Sequence, residues 1–358
     1  MKLTKPVLLI LSVGELGTNV LESAARSGLF GRIVIAGRDG AKARARANSA
    51  IIGAGLEFDY PIIEGLELDV NGPAFVPRIK SIAPDIIFTT ASMMPWWQLE
   101  KSSAPRLPFG GYLSLHLSVM NTFRDRLAEA DLDAIWIGAS YPDVVNPILH
   151  RTGFGPLCGI GNVQEPIPKI VAGLSRRLSL SPDQIRVKLV AQHAFEYAVL
   201  SDEVTADLPP YLLHVEAAGR DVTEQARQVL LEPFPFTYDL FFNRITASAA
   251  IEAFRALLSP KPAAVHLPGV NGLIGGYPVV VGGRCARLDL HSDWTEAQAI
   301  DTNCRSLRHE GIEAIDSDGT VHFTESTQQA FAALLGRSVA RLEITGAAQQ
   351  AKDILDAL

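Results

Sequence analysis

Cysteine is scarce. The 358 residues include three, Cys158, Cys285 and Cys304, and no two form a CxxC pair. This argues against a zinc ribbon or a disulfide framework, and isolated thiols suit a reducing cytoplasm. Positive charge is not in excess. Lys and Arg number 32 against 39 Asp and Glu, a formal net charge of −7, so no general affinity for nucleic acid or an anionic membrane is expected. No apolar run approaches the ~20 residues needed to span a bilayer. The start, Met1 to Ser12, carries basic residues and then Val7-Leu8-Leu9-Ile10-Leu11. That run is too short for a secretory leader, and Gly14-Glu15-Leu16-Gly17 stands where a cleavage site belongs. A buried parallel strand explains it. The eight histidines contain no HxxxH pair, and no metal site is expected. Internal repeats, low-complexity tracts and flexible linkers are missing too.

What is present is an ordinary globular composition, 47% apolar and 20% charged, with strand-like and helix-like segments in alternation. Strands are expected at 7–13, 32–36, 66–70, 85–89 and 134–137, and helices at 16–27, 41–52, 75–82 and 113–130. Alternation of this kind predicts an α/β fold, a doubly wound parallel sheet with helices on both faces. Beyond it the character changes. Helices at 168–178 and 240–258 alternate with short strands at 185–191, 211–217, 265–267, 279–281 and 286–290. Two units follow: a dinucleotide-binding domain over 1–142, and a mixed α+β domain for substrate and oligomer contacts over 143–358.

Ser12-Val13-Gly14-Glu15-Leu16-Gly17 joins the first strand to the first helix. In the Rossmann fingerprint G-x-G-x-x-G, the middle glycine lets the backbone approach a pyrophosphate and the last lets the helix pack closely. Gly14 and Gly17 fill those places, and Ser12 takes that of the first glycine. A pyrophosphate is expected over the helix start, where free N–H groups favour anions. At the end of the second strand, about 20 residues on, an NAD-binding protein carries an acid for the ribose. Here the strand ends Ala36-Gly37-Arg38. A guanidinium suits a 2′-phosphate, so Arg38, with Lys42, points to NADP in preference to NAD, and the adjacent Asp39 argues the other way.

The order of these segments resembles the lactate/malate dehydrogenase family, from the first strand to at least Leu290. Asp85-Ile86-Ile87-Phe88-Thr89-Thr90-Ala91 is similar to that family's strand leading to the nicotinamide ribose and a mobile loop. Ile137-Gly138-Ala139-Ser140-Tyr141-Pro142 sits where the family has a strand ending Ser/Thr-Asn-Pro, with Tyr141 in place of the asparagine. Asn146-Pro147 is a second match for that motif and also a plain helix start. Gly159-Ile160-Gly161-Asn162-Val163-Gln164-Glu165 resembles Gly-x-Gly-Thr-x-Leu-Asp. Ala191-Gln192-His193-Ala194 resembles Gly-Glu-His-Gly. The resemblance implies that Thr90, Ala91, Ser140 and Tyr141 meet the cofactor. It also implies His193 as general acid/base and Glu165 as the carboxylate on its other nitrogen. An imidazole has the pKa for that task, and a carboxylate partner fixes its tautomer. A homodimer or homotetramer is implied as well. The other histidines, His116 among them, have no comparable context.

The departures bear on substrate. Pro168 stands where the family places its carboxylate-binding arginine. The loop Ser92-Met93-Met94-Pro95-Trp96-Trp97 has no arginine before Arg106. A simple 2-oxo acid is therefore a poor match, and a larger or more apolar carbonyl or imine fits Trp96 and Trp97 better. Asn162, Ser248 and Arg244 are further candidates for the substrate, Arg244 as a replacement arginine. Three alternatives stay open: an opine-type dehydrogenase, an NAD-dependent glycosidase with Cys158 and His193 as metal ligands, and a dinucleotide-binding protein without catalysis.

Overall fold

The computed structural model describes residues 5–99, 101–235 and 239–358; Met1 to Thr4, the start of the leader-like stretch, lie outside them. Five parallel strands, β1 (Val7–Leu11), β2 (Arg32–Gly37), β3 (Ile62–Glu67), β4 (Ile86–Thr89) and β5 (Ile135–Gly138), form one sheet in the order β3-β2-β1-β4-β5. Helices α1 (Glu15–Arg26), α2 (Gly40–Leu56), α3 (Phe75–Ile82), the short α4 (Trp96–Leu99) and α5 (Leu113–Ala130) connect them. This is the doubly wound Rossmann sheet. Leu8 to Leu11 of β1 are all buried, as an unbroken apolar run at the centre of a two-faced sheet requires.

The chain continues through α6 (Pro142–Arg151), α7 (Pro166–Leu178), β6 (Ile185–Val190), α8 (His193–Val199), β7 (Leu212–Ala217), β8 (Arg220–Asp221), α9 (Thr223–Leu230) and α10 (Phe242–Leu257). Next come β9 (Ala263–Pro268), β10 (Gly276–Gly282) and β11 (Cys285–Leu288). Both groups of strands form antiparallel three-stranded sheets, as the α+β reading of this half predicts. The long helix α10 lies against α1, and Ala247, Ala250 and Ala253 are among its buried residues. Its Phe254 is fully buried, edge-on to Phe30 at 5.4 Å and to Phe88 of β4 at 6.0 Å.

Three local differences from the sequence reading have physical causes. The third strand runs over Ile62–Glu67, earlier than 66–70. It is an edge strand, so Ile62 is exposed, while Leu68 and Val70 are buried after the ladder has ended. A helix begins at Pro142 and carries Pro147 within it; Pro142 takes the first-turn place where a missing N–H costs nothing. The last segment, unassigned by pattern, forms α11 (Glu296–Ser306), a small sheet of β12 (Ile312–Ile315), β13 (Val321–Phe323) and β14 (Arg341–Leu342), and helices α12 (Glu325–Leu335) and α13 (Ala347–Ala357). It turns back to the first half. Phe331, Leu342 and Ile354 share one apolar core with Leu113, Leu117 and Val144.

Phe254→Ala is expected to destabilise the protein by about 3–5 kcal/mol, since it empties a site walled by two other rings. A shift of the urea midpoint checks this; an unchanged midpoint would show that α10 is held by other contacts.

Candidate active site

The β1–α1 turn sets one end of the site. The Ser12 hydroxyl accepts from the Gly14 N–H at 3.2 Å, a bond that the missing first glycine could not make. A Cβ at Gly17 would lie 2.6 Å from the Ser12 carbonyl oxygen, so only glycine lets α1 start this close to the strand. Gly14 caps α1 without a side-chain acceptor, which leaves the first-turn N–H groups for an anion. At the end of β2, the Asp39 carboxylate accepts from Lys42 N–H at 2.8 Å and caps α2. Arg38 is exposed and makes no hydrogen bond or ion pair with any described residue. Glu15 pairs with Arg46 at 3.6 Å.

The other end forms around His193, the first residue of α8. Its Nδ1 is hydrogen-bonded to Glu310, which follows α11 in a 3-10 turn. The same carboxylate accepts from the Tyr141 hydroxyl at 2.6 Å and from the Gln192 side-chain amide. The His193 backbone N–H donates to Asp143 at 2.6 Å. Phe109 and Tyr197 each lie 4.7 Å from the imidazole, ring to ring. Nε2 has no hydrogen-bond partner among the described residues. Burial alone would lower the His193 pKa. The Glu310 carboxylate, with Asp143 and Glu165 behind it, outweighs burial and holds it above its ordinary 6.5. Burial pushes Asp143 up to about 7.

One cleft of about 780 Å3 joins the two ends. Ser12, Gly14, Glu15, Leu16, Arg38 and Lys42 line its outer part. Thr90, Ala91, Ser140 and Tyr141 line its middle, where Ser140 donates to the Ala91 carbonyl at 2.8 Å. Trp96, Trp97, Asn162 and His193 line the inner part, the two indoles edge to face at 6.0 Å. Tyr141, not Asn146, occupies the turn after β5; Asn146 lies inside α6 and donates to the Gly138 carbonyl at 3.1 Å. Gly17 is under the turn and does not line the cleft.

Other expected residues stand elsewhere. The carboxylate on His193 Nδ1 is Glu310, not Glu165. Glu165 accepts from the Thr246 hydroxyl at 2.9 Å and lies beside Glu196; burial raises the pKa of both. Arg244 and Ser248 are exposed on α10, Arg244 over the Phe241 ring at 4.6 Å and Ser248 bonded to the Arg244 carbonyl. The cleft face of that helix is Phe242, Asn243 and Thr246, a different stripe of the 3.6-residue period. Lys169, beside Pro168, is buried and donates to the carbonyls of Val199, Leu230 and Glu232 at 2.7–2.9 Å, which keeps it from a substrate.

Sequence reasoning missed Glu310, Asp143, Glu196 and His116. Glu196 follows His193 by three residues, one turn of α8, so the two share a helix face. Glu310 is 117 residues from His193 and carries no local signal. Among the described residues no group of three or more His, Cys, Asp or Glu is arranged to hold a metal ion, and Cys158 is buried outside the cleft.

Glu310→Gln removes the charge that raises His193 and leaves the burial that lowers it. The imidazole is therefore expected to titrate at a lower pH in the variant than in the parent, read from its ring resonances by NMR. The same titration in both would show that Glu310 does not control it.

No protein-family model and no curated protein matches this chain. Solved structures do. A lactate dehydrogenase, MGS-M5, from a Medee basin deep-sea metagenome library is 12% identical and superposes with a TM-score of 0.62, over 86% of this chain and 97% of that one. The minor L-lactate dehydrogenase of Enterococcus mundtii is 15% identical, with a TM-score of 0.61 over 85% and 96%. The malate dehydrogenase of Plasmodium falciparum is 13% identical, with a TM-score of 0.56 over 92% and 99%. At such identities the likeness is one of fold, and the fold of this chain is that of the lactate and malate dehydrogenases.

Proposed function

We propose that this protein is a nicotinamide-dinucleotide-dependent oxidoreductase that prefers NADP and interconverts a carbonyl and an alcohol, with His193 as general acid/base. The observation that carries the reading is the single cleft running from the Gly14 turn, past Arg38, to the His193 ring. The residues present fit a dinucleotide. The α1 N-terminus is uncapped by any side chain, and Arg38 is exposed with its neighbour Asp39 engaged in the α2 cap. The Plasmodium falciparum malate dehydrogenase was solved in complex with NADH, and a Cryptosporidium parvum lactate dehydrogenase with lactic acid and nicotinamide adenine dinucleotide; both support this use of the fold.

The dinucleotide would supply or take up the hydride. Ser12, Gly14 and the start of α1 would hold its pyrophosphate, and Arg38 with Lys42 its 2′-phosphate. His193, protonated, gives a proton to the carbonyl oxygen in reduction and, neutral, takes it from the hydroxyl in oxidation. Glu310 fixes the ring through Nδ1 and so leaves Nε2 for the substrate. Phe109 and Tyr197 cover the imidazole and limit water. An exposed apolar strip at the end of α2, Leu56, Phe58 and Tyr60, supports a homodimer or homotetramer.

Arg38→Asp is expected to weaken NADPH relative to NADH by ~10-fold or more. Titration of each into both proteins by nicotinamide fluorescence measures it, and an unchanged ratio refutes the NADP assignment. His193→Ala is expected to lower kcat by roughly 10²–10⁴ at neutral pH; full turnover would remove the acid/base role. Because the folded His193 pKa is raised, reduction is expected to hold through pH 6.5 and to fall as pH rises through the raised value, with oxidation rising over the same range.

A further inference from the structure

Among the described residues, no lysine or arginine lines the inner end of the cleft to receive a carboxylate; Arg38 and Lys42 stand at its outer end, and the imidazole of His193 is committed to the reacting oxygen. Behind the inner wall lie four buried acids, Asp143, Glu165, Glu196 and Glu310. A carboxylate entering here would find acidic groups behind the wall and no guanidinium to pair with.

A second imidazole lines the same cleft. His116, on α5, lines the cleft, and its Nδ1 is buried without a hydrogen-bond partner among the described residues. Its ring lies 6.3 Å from Phe109 and 6.2 Å from Tyr141. His193 lies 4.7 Å and 5.6 Å from those same two rings. The two imidazoles thus share one pair of aromatic neighbours, which sets His116 at the same inner end of the cleft as His193. Burial, with His193 beside it, lowers the His116 pKa to about 4, so the ring is neutral at working pH and offers one N–H and one lone pair. That suits an uncharged oxygen and not an anion.

We propose that His116 is a specificity residue, and that the substrate carries a neutral oxygen, ketone or hydroxyl, on the carbon next to the one that reacts. This rests on the oxidoreductase reading above and names the substrate class for the same site. A buried hydrogen-bonding group discriminates strongly, because an analogue without the matching oxygen leaves it unpaired.

The test uses three aryl ketones of similar size with the NADPH complex. Phenylpropanedione has a neutral carbonyl beside its reacting ketone, propiophenone has a methylene there, and phenylglyoxylate a carboxylate. Phenylpropanedione is expected to exceed both others in kcat/KM by at least ~10-fold. His116→Leu, its fold checked by circular dichroism, is expected to collapse that advantage mainly through KM. His116→Gln restores part of it, and His116→Arg moves the preference toward phenylglyoxylate. A parent enzyme that prefers phenylglyoxylate, or does not separate phenylpropanedione from propiophenone, overturns the proposal, as does an unchanged ratio in His116→Leu. Should none be turned over, binding to the NADPH complex is read from nicotinamide fluorescence, and absent or unselective binding also overturns it. If NADPH itself does not bind, the oxidoreductase reading falls and this one with it; NADPH binding without the selectivity sinks this one alone.

Discussion

The structure is organised around a buried ion pair, His193 with Glu310. A carboxylate taken out of water costs several kcal/mol unless partners replace the solvent. Glu310 has three: the imidazole, the Tyr141 hydroxyl and the Gln192 amide. Each comes from a segment that has little reason to meet the others. Tyr141 ends the turn after β5, Gln192 caps α8, and Glu310 follows α11. Their convergence ties the parallel sheet, the second half and the C-terminal segment to one point. It also holds Tyr141 in a left-handed conformation, φ 52 and ψ 60, which costs roughly 1–3 kcal/mol for a residue with a side chain. The hydroxyl bond to Glu310 and the aromatic contacts to Phe109 and His193 offset that strain.

The position of that point in the fold is not arbitrary. In an open parallel sheet the strand order reverses on either side of β1, and the loops after β1 and β4 leave the sheet in opposite directions. The crevice between them is the outer part of the cleft. The turn after β5 carries it inward, where α8 and the Phe242 end of α10 close it. The sheet thus shapes the outer end of the cleft through backbone geometry, and the second half shapes the inner end through side chains.

That division explains what could be read from the sequence. The Gly14–Gly17 turn, Arg38, the five-stranded alternation and the 113–130 helix were legible because each depends on residues close together in the chain. His193 was found through a short motif at the right spacing. Its carboxylate partner was misread, because Glu165 occupies the motif's acidic position while Glu310, far along the chain, makes the bond. Arg244 and Ser248 were placed on the wrong face of α10, since a stretch of small residues does not say which stripe faces the cleft. His116 looked unremarkable because its environment is built by Phe109 and Tyr141, neither adjacent to it in the chain.

Four acids around one histidine would, if all were ionised, hold the imidazolium so firmly that it could not release its proton. Burial works against this, because it favours the uncharged form of Asp143, Glu165 and Glu196. Burial raises both Glu165 and Glu196, and the repulsion from Glu165 raises Glu196 further. Asp143 is raised to about 7 by burial and is neutral for part of the working range. Glu310, satisfied by three donors, is the acid whose charge the imidazole feels most directly. The interaction with Glu310, and behind it with Asp143 and Glu165, raises the His193 pKa against the burial that lowers it, which suits the proton transfer proposed for this imidazole. The same arrangement leaves the inner end of the cleft without a lysine or arginine among the described residues, the feature on which the proposed neutral-oxygen substrate rests.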